Sequence, residues 1–267
     1  MQSYQNPTGY NAGGYARTQA EVDQGLRSFM LGVYNNMILG LAISALVALG
    51  VNKLAVATSM EAAGRNAAGQ AVRLQGQLLT QFGITLYTTP LMWVVALAPL
   101  AFVLLFSFSM NRMSASGARG LFFAFAAVMG ASLSTLLIRY TGASIVQTFF
   151  VTAAAFGGLS LYGYTTTRSL SGMGTFLTMA LIGLILASLV NIFLASSAMQ
   201  FVISAAGVVI FAGLTAYDTQ KLKEMYLFGD FDSETAAKAS IFGALTLYLD
   251  FINLFQFLLS FMGNRNE

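Results

Sequence analysis

The feature that most constrains this chain is a series of seven long apolar runs. Each is close in length to the roughly 20 residues with which an α-helix crosses a hydrocarbon core of about 30 Å. The runs are continuously apolar, whereas the strands of a membrane barrel alternate apolar and polar residues over segments of about 10. We therefore expect an all-α membrane protein with seven transmembrane helices, at residues 29–51, 90–110, 117–138, 143–165, 174–196, 199–221 and 241–262.

Composition agrees with a membrane protein and excludes several other classes. Hydrophobic residues make up 57% of the 267 residues, charged residues 9%, and the mean hydropathy is +0.70, so the lipid bilayer is the expected partner. The net charge of +3 comes without a basic cluster, so nucleic acid binding is not expected. Because the chain has neither cysteine nor histidine, it lacks thiolates, the commonest metal ligand and the usual catalytic base, and we expect neither enzymatic activity nor a resident cofactor.

The ends of the chain and its charges predict an orientation. Residues 1–26 are polar and lack apolar periodicity, which predicts a disordered tail before a membrane domain at 27–267. The positive-inside rule favours a cytoplasmic N-terminus, and the compact chain fits a bacterial inner membrane. The longest connection, 52–89, has room for a short amphipathic helix on the membrane. Eight basic residues fall on the side of the tail and five on the other: Arg17, Arg27, Arg112, Arg119, Arg168, Lys221, Lys223 and Lys238 against Lys53, Arg65, Arg73, Arg139 and Arg265.

Two acidic residues, Asp218 and Asp250, lie in or near the last two runs. If these runs form an antiparallel hairpin, residues equally distant from the middle of their connection lie at equal depth. Both aspartates are 16 residues from position 234, and a polar connection at 229–238 is centred there too. We therefore expect the two carboxyl groups to face each other across the hairpin.

Asp250 belongs to a polar stripe on the last helix. Thr246, Asp250 and Asn253 are spaced at i−4, i and i+3 within an otherwise apolar segment, LYLDFINLF at 247–255, and this spacing places them on one face. An aspartate at the centre of a transmembrane helix costs ~2.5 to 3.5 kcal/mol on insertion scales. The stripe is therefore expected to face protein or water and to support or line a pore.

Two carboxylates in contact in a poorly solvated site do not both ionise easily, so they share a proton. The shared proton would join the two helices, whereas its loss would leave like charges that repel. Calcium could replace the proton through transient contact with Asp218 and Asp250, because carboxylate oxygens are hard ligands. A purely structural interpretation also stands: Asp218 would pair with Lys221, and Asp250 would bond a neighbouring helix.

Five motifs, taken together, resemble the transmembrane Bax inhibitor motif family, and the resemblance covers the chain beyond the tail. The motifs are Tyr34-Asn35-Asn36-Met37, Gly40-Leu41, Gly130, Tyr217-Asp218-Thr219-Gln220 and the segment from Ala244 to Phe255, ALTLYLDFINLF.

The resemblance implies a fold of seven helices with the last one central, and a pH-sensitive calcium leak across the membrane. It assigns the pH sensor to a di-aspartyl pair, which matches Asp218 and Asp250. It also implies an arginine that pairs with the aspartates in the closed state. Arg112, 18 residues before Gly130, matches by spacing, although Met113 and Ser114 stand where the family often has further basic residues. Without the resemblance, Arg112 and Arg119 can equally be orientation signals.

The preferred hypothesis is a cation leak channel, with calcium as the permeant ion, gated from the cytoplasmic side by protonation of Asp218 and Asp250. The alternative is a membrane-embedded regulator that binds other membrane proteins, such as proteases or stress factors, without conducting ions. A proton-coupled transporter is a third interpretation, since intramembrane carboxylates also act as proton relays. Measurement of ion flux separates these hypotheses.

Overall fold

A computed structural model describes residues 19–109, 112–229 and 231–266 of the chain. Helices dominate this described part, and the predicted all-α membrane class is confirmed. The elements are α1 (Gln19–Ala55), β1 (Arg73–Leu74), β2 (Gln77–Leu78), α2 (Gln81–Thr88), α3 (Leu91–Ser109), α4 (Ala115–Arg139), α5 (Gly142–Thr165), α6 (Ser171–Leu194), α7 (Ser197–Phe228) and α8 (Ser233–Met262). The two short strands pair antiparallel.

Six of the described helices, α1 and α4 to α8, are long and apolar enough to cross a membrane. The second predicted run is instead a bent pair, because α2 and α3 meet at an angle of 64°. Proline has no N–H group to continue a helix but fits its start, and α3 begins directly after Pro90. The Thr89 hydroxyl accepts a hydrogen bond from the Leu91 N–H at 3.3 Å. The predicted count of seven holds when the bent pair is counted as one span.

The last helix, α8, is the core of the bundle. It packs against α1, α4, α5 and α7. Of an apolar stretch of 18 residues in α8, 67% is buried, whereas the corresponding stretches of the other five spans are 17% to 39% buried. Its residues Leu247, Tyr248 and Leu254 are almost completely buried. The helix is apolar around most of its circumference because it has neighbours on most sides. The central position expected for the last helix is confirmed.

The other two long helices are peripheral. α3 packs chiefly on α4, and α6 chiefly on α7, so α8 is not enclosed evenly by all its neighbours. Short connections make successive helices run in opposite directions. We call the end of the bundle with the α7–α8 connection the hairpin end, and the end with residues 56–80 the loop end. At the loop end, the Asn266 N–H donates to the Arg139 carbonyl oxygen at 3.0 Å.

The long connection after α1 is folded against the loop end. Thr80 donates its hydroxyl to the Leu54 carbonyl oxygen at 2.6 Å, and the hydroxyl groups of Tyr87 and Ser134 are 2.8 Å apart. Leu79 and Leu86 are buried in a small core with Ala55. The short helix for which this connection has room is α2, and it is held by packing against the ends of α1 and α4.

Two predicted boundaries are wrong in the same direction. α1 begins at Gln19, inside the predicted tail of 1–26, whose first 18 residues lie outside the described part. α8 begins at Ser233, so the connection before it is 229–232 and not 229–238. Asp232 caps α8 by accepting a hydrogen bond from the Thr235 N–H at 2.7 Å, and hydrogen bonding to Thr235 holds the pKa of Asp232 below its ordinary value. Hydropathy marks only the apolar part of a helix and misses its polar turns.

Gly130 allows α4 to approach α1 closely. A Cβ atom at this position would overlap the backbone of Ser44, and Ser44 also donates its hydroxyl to the Ala126 carbonyl oxygen at 2.7 Å. Small residues let helix backbones come together in membranes, where packing drives association. The first and fourth helices are therefore joined at one tight crossing.

Substitution Gly130→Ala should lower the free energy of unfolding by about 1 to 3 kcal/mol, because the added methyl group separates the two backbones. The measurement is thermal unfolding in detergent micelles. The matched control is Gly120→Ala in the same helix, where a Cβ atom meets nothing within 4 Å. An equal midpoint for Gly130→Ala and wild type would contradict the tight crossing.

Candidate functional site

The hairpin of α7 and α8 brings the two intramembrane aspartates together. Asp218 lies on α7 and is half-buried, whereas Asp250 lies on α8 and is only 5% exposed. Their carboxyl groups are in hydrogen-bonding contact with each other. The carboxyl groups meet across the hairpin, although the two residues are not at the equal depth that the count from position 234 predicted.

The register of the hairpin explains how the carboxyl groups meet. Ser204 donates to Ser260 at 2.9 Å, and Gly207 packs against the Phe257 ring; both pairs are centred on position 232, two residues from the predicted centre. Asp218 therefore lies about one turn from the point directly across from Asp250. Side chains tilt towards the N-terminus of their own helix, so in an antiparallel pair the two aspartates lean towards each other.

Asp250 has one oxygen that no donor group reaches. Its Oδ2 atom is buried and accepts no hydrogen bond from an N–H or O–H group of the described residues. A buried carboxylate oxygen without a donor is costly, and a proton held between the two carboxyl groups supplies that donor. The arrangement can therefore hold one proton at the contact of α7 and α8.

The two aspartates lie on the wall of a cleft of about 750 Å³ between α3, α6, α7 and α8. Thr246 and Asn253 line the same cleft, so the predicted stripe on the last helix faces one space. Thr246 donates to the Phe242 carbonyl oxygen at 3.1 Å and Asn253 to the Leu249 carbonyl oxygen at 2.8 Å. Because each uses its donor on its own helix, the side-chain oxygen remains available as an acceptor towards the cleft.

Further polar residues of the cleft were not singled out as site residues by the sequence analysis. Thr178 and Ser188 of α6 line it, as do Tyr217 and Lys221 of α7. The Lys221 ammonium group lies 5.9 Å from the centre of the Tyr217 ring. Hydroxyl residues in an apolar run are a weak signal, because they often bond their own helix backbone, as Ser188 does to Leu184 at 2.8 Å.

The structure does not bring Arg112 to the aspartates. Arg112 is exposed before the start of α4, and within the described residues no salt bridge joins it to Asp218 or Asp250. The basic side chain that lines the cleft is Lys221. Within the described residues no salt bridge joins Lys221 to Asp218 either, so the pairing that the structural interpretation of Asp218 expected is not formed.

The cleft offers few ligands to a hard cation. Within the described residues no group of three or more acidic, histidine or cysteine side chains is gathered, whereas calcium takes six to eight oxygen ligands when it is held firmly. Asp218 and Asp250 supply carboxylate oxygens, and Thr246 and Asn253 supply neutral ones. A larger cavity of about 830 Å³ lies between α1 and α5, but its lining is apolar apart from a few groups such as Arg27.

Comparison with known proteins identifies the family. The model of the family described as "Inhibitor of apoptosis-promoting Bax1" matches residues 26–267. The chain belongs to the Bax inhibitor family. The family that the sequence motifs indicated is thereby confirmed, and both aspartates lie within the matched part.

Relatives in this family match over almost their whole length. The chain is 48% identical over 260 residues to an uncharacterized protein of Caulobacter vibrioides, which covers 95% of this chain and 98% of the relative. It is 46% identical over 243 residues to the inner membrane protein YbhL of Escherichia coli, covering 90% and 93%. It is 44% identical over 245 residues to the protein RP147 of Rickettsia prowazekii, covering 92% and 93%.

Proposed function

We propose that this protein is a leak channel for cations, with calcium as the permeant ion, controlled by the proton between Asp218 and Asp250. The observation that carries the proposal is the contact of two carboxyl groups on the wall of a cleft within a helical membrane domain. Intramembrane carboxylates that face a cavity mark ion and proton pathways. Membership of the Bax inhibitor family supports the same assignment.

The shared proton joins α7 to α8 through a hydrogen bond. While it is shared, the hydrogen bond between the carboxyl groups holds α7 to α8. When it leaves, two negative charges are in contact in a poorly solvated site, and their repulsion favours either separation of the helices or the approach of a cation. Lys221 lines the cleft, and Arg112 lies towards the same hairpin end. In this proposal the protonated pair joins α7 to α8, whereas the ionised pair either separates them or binds a cation.

A calcium ion in the cleft would meet a small number of oxygen ligands. Asp218 and Asp250 would supply the negative charge, and the oxygens of Thr246 and Asn253 would replace part of the hydration shell. Few ligands mean weak binding, and weak binding lets an ion leave as readily as it enters. In this proposal calcium is the transported ion and not a resident cofactor, and the protein is not an enzyme.

The proposed location is a bacterial inner membrane with the N-terminus in the cytoplasm. The relative YbhL is named an inner membrane protein, and the excess of basic residues at the hairpin end favours this orientation. The aspartates would then respond to the cytoplasmic pH, because Lys221 and Asp218 lie on the part of the cleft nearer the hairpin end.

Calcium influx into proteoliposomes that contain a calcium dye tests the proposal. Wild-type influx should be lower at pH 6, where the shared proton holds α7 to α8, and higher at pH 8, where the proton has left. At every pH in this range, influx through the Asp250→Asn and Asp218→Asn variants should equal the influx of wild type at low pH. The reason is that an asparagine N–H group donates to the remaining carboxylate as the shared proton does.

The control for these variants is Asp232→Asn, which alters an exposed acidic residue that caps α8 outside the cleft and should keep the wild-type pH response. Wild-type influx equal to that of empty liposomes across this pH range would overturn the channel proposal. The alternative of a regulator that binds other membrane proteins would then be favoured.

Arg112 has a separate test. If Arg112 has the role that the family resemblance implies, as a partner of an ionised aspartate in a closed state, Arg112→Ala should raise influx at neutral pH and leave influx at low pH unchanged. Arg119→Ala is the matched control, because Arg119 is also exposed near the start of α4. Equal influx in Arg112→Ala and wild type at every pH would leave Arg112 with the role of an orientation signal only.

A further inference from the structure

One aromatic residue interrupts the polar stripe of α8. The stripe continues beyond Asn253 with the same alternating spacing of four and three residues, and its members are Thr246, Asp250, Asn253, Phe257 and Ser260. This spacing keeps all five on one face of the helix. Phe257 is the apolar member, about 10 Å along the helix from Asp250 and before Ser260.

The Phe257 ring fills the seam between α7 and α8. It stacks on the Phe211 ring of α7, with the ring centres 5.6 Å apart and the planes at 22°. The ring also lies against Gly207, one turn from Phe211 on α7, where any Cβ atom would overlap it. Both rings also line the cleft that contains the aspartates. On α7 and α8 the lining of the cleft ends at this stacked pair towards the loop end, whereas the lining from α6 continues to Ile192.

Beyond the stacked rings lies a second polar region, which we call the amide–serine cluster: Asn191, Gln200, Ser204 and Ser260. Gln200 accepts from Asn191 at 3.3 Å and donates to Ser260 at 3.3 Å. Ser204 donates to Ser260 at 2.9 Å. The cluster joins the end of α6, the first turns of α7 and the last turn of α8, and therefore faces the loop end of the bundle.

We propose that Phe211 and Phe257 form a hydrophobic gate between the aspartate cleft and the amide–serine cluster. The proposal rests on the proposed channel function and adds the position of the barrier. Polar groups on both sides can hold water or an ion, whereas two stacked rings offer neither a hydrogen bond nor a ligand. Hydrophobic constrictions of this kind close a pathway by excluding water.

The gate and the aspartate pair are on the same two helices. A change in the spacing of α7 and α8 at Asp218 and Asp250 therefore also changes the overlap of the two rings, about two turns further along. The titratable residues that line the cleft are Asp218, Tyr217 and Lys221 from α7 and Asp250 from α8, while the described lining from α3 and α6 has none. The aspartate pair is thus the acidic group that can act on the gate.

Thiol labelling tests the gate without any measurement of ion flux. The chain has no cysteine, so Ser260→Cys introduces a single thiol in the amide–serine cluster. A charged, membrane-impermeant thiol reagent is added from the hairpin end of the protein in proteoliposomes. Labelling should be slow while Phe257 is present and about tenfold faster in the Phe257→Ala background, because loss of a stacked ring removes the barrier. Phe211→Ala should give the same increase.

The bundle contains a matched control pair. Phe201 and Phe261 also join α7 to α8, with ring centres 5.1 Å apart, but they are 57% and 45% exposed. Phe261→Ala should leave labelling unchanged, and Phe257→Leu should keep it slow because leucine retains an apolar barrier. Thermal unfolding verifies that each variant is folded. Equal labelling of Ser260→Cys with and without Phe257→Ala, or an equal increase on adding Phe261→Ala, would overturn the gate.

Calcium influx in the same variants separates the two proposals. A pH-dependent influx in wild type together with labelling that ignores Phe257→Ala would reject the gate and keep the channel. Labelling that accelerates in Phe257→Ala while no variant conducts calcium would reject the channel and keep the rings as a barrier to water. Faster labelling with a raised influx in Phe257→Ala supports both.

Discussion

The contact between the carboxyl groups of Asp218 and Asp250 connects α8, the central helix of the bundle, to α7, the other arm of its hairpin. Each carboxylate in isolation would be costly at this depth, and together they would repel if both were ionised. A single shared proton removes the repulsion and leaves one negative charge on the pair in place of two. In the proposed mechanism, the stability of the joint between α7 and α8 therefore depends on proton concentration.

One side of α8 is tightly packed and the other faces the cleft. On one side Tyr248 is completely buried, with its hydroxyl 2.6 Å from that of Ser44 and its ring edge-on to Phe122 and Phe125. On the other side the polar stripe faces a cleft bordered by the peripheral helices α3 and α6. Close-packed interiors resist small displacements, so a change at the aspartates is more easily accommodated on the cleft side.

Much of the architecture could be predicted from sequence because a bilayer imposes a simple rule on helix length and polarity. The same rule does not predict the polar turns at helix ends, so the predicted starts of α1 and α8 are too late in the chain. It also does not predict the bend between α2 and α3. Counting residues in an antiparallel hairpin placed Asp218 and Asp250 within about one turn of each other in depth, but it could not supply the tilt of the side chains that lets the carboxyl groups meet. The separation of Arg112 from the pair was not predictable, since the position of an exposed arginine depends on its rotamers and on the conformational state.

The residue spacing on a single helix predicts only one member of the pair Phe211 and Phe257. The spacing from Thr246 to Ser260 could have placed Phe257 on the cleft face. Its partner Phe211 could not be identified in the same way, because the stacking depends on the register of α7 against α8 and on the absence of a side chain at Gly207. Contacts between helices require the register, and the register came from the structure.

Infrared spectroscopy of the carboxyl stretching bands, recorded through a pH titration, tests the shared proton most directly. At neutral pH the wild-type protein should show a band from a protonated carboxyl group, and this band should be lost in Asp250→Asn and in Asp218→Asn, because the remaining aspartate then ionises. Asp232→Asn should retain it. A wild-type spectrum without a protonated carboxyl band at neutral pH, or the same band in all the variants, would contradict the account.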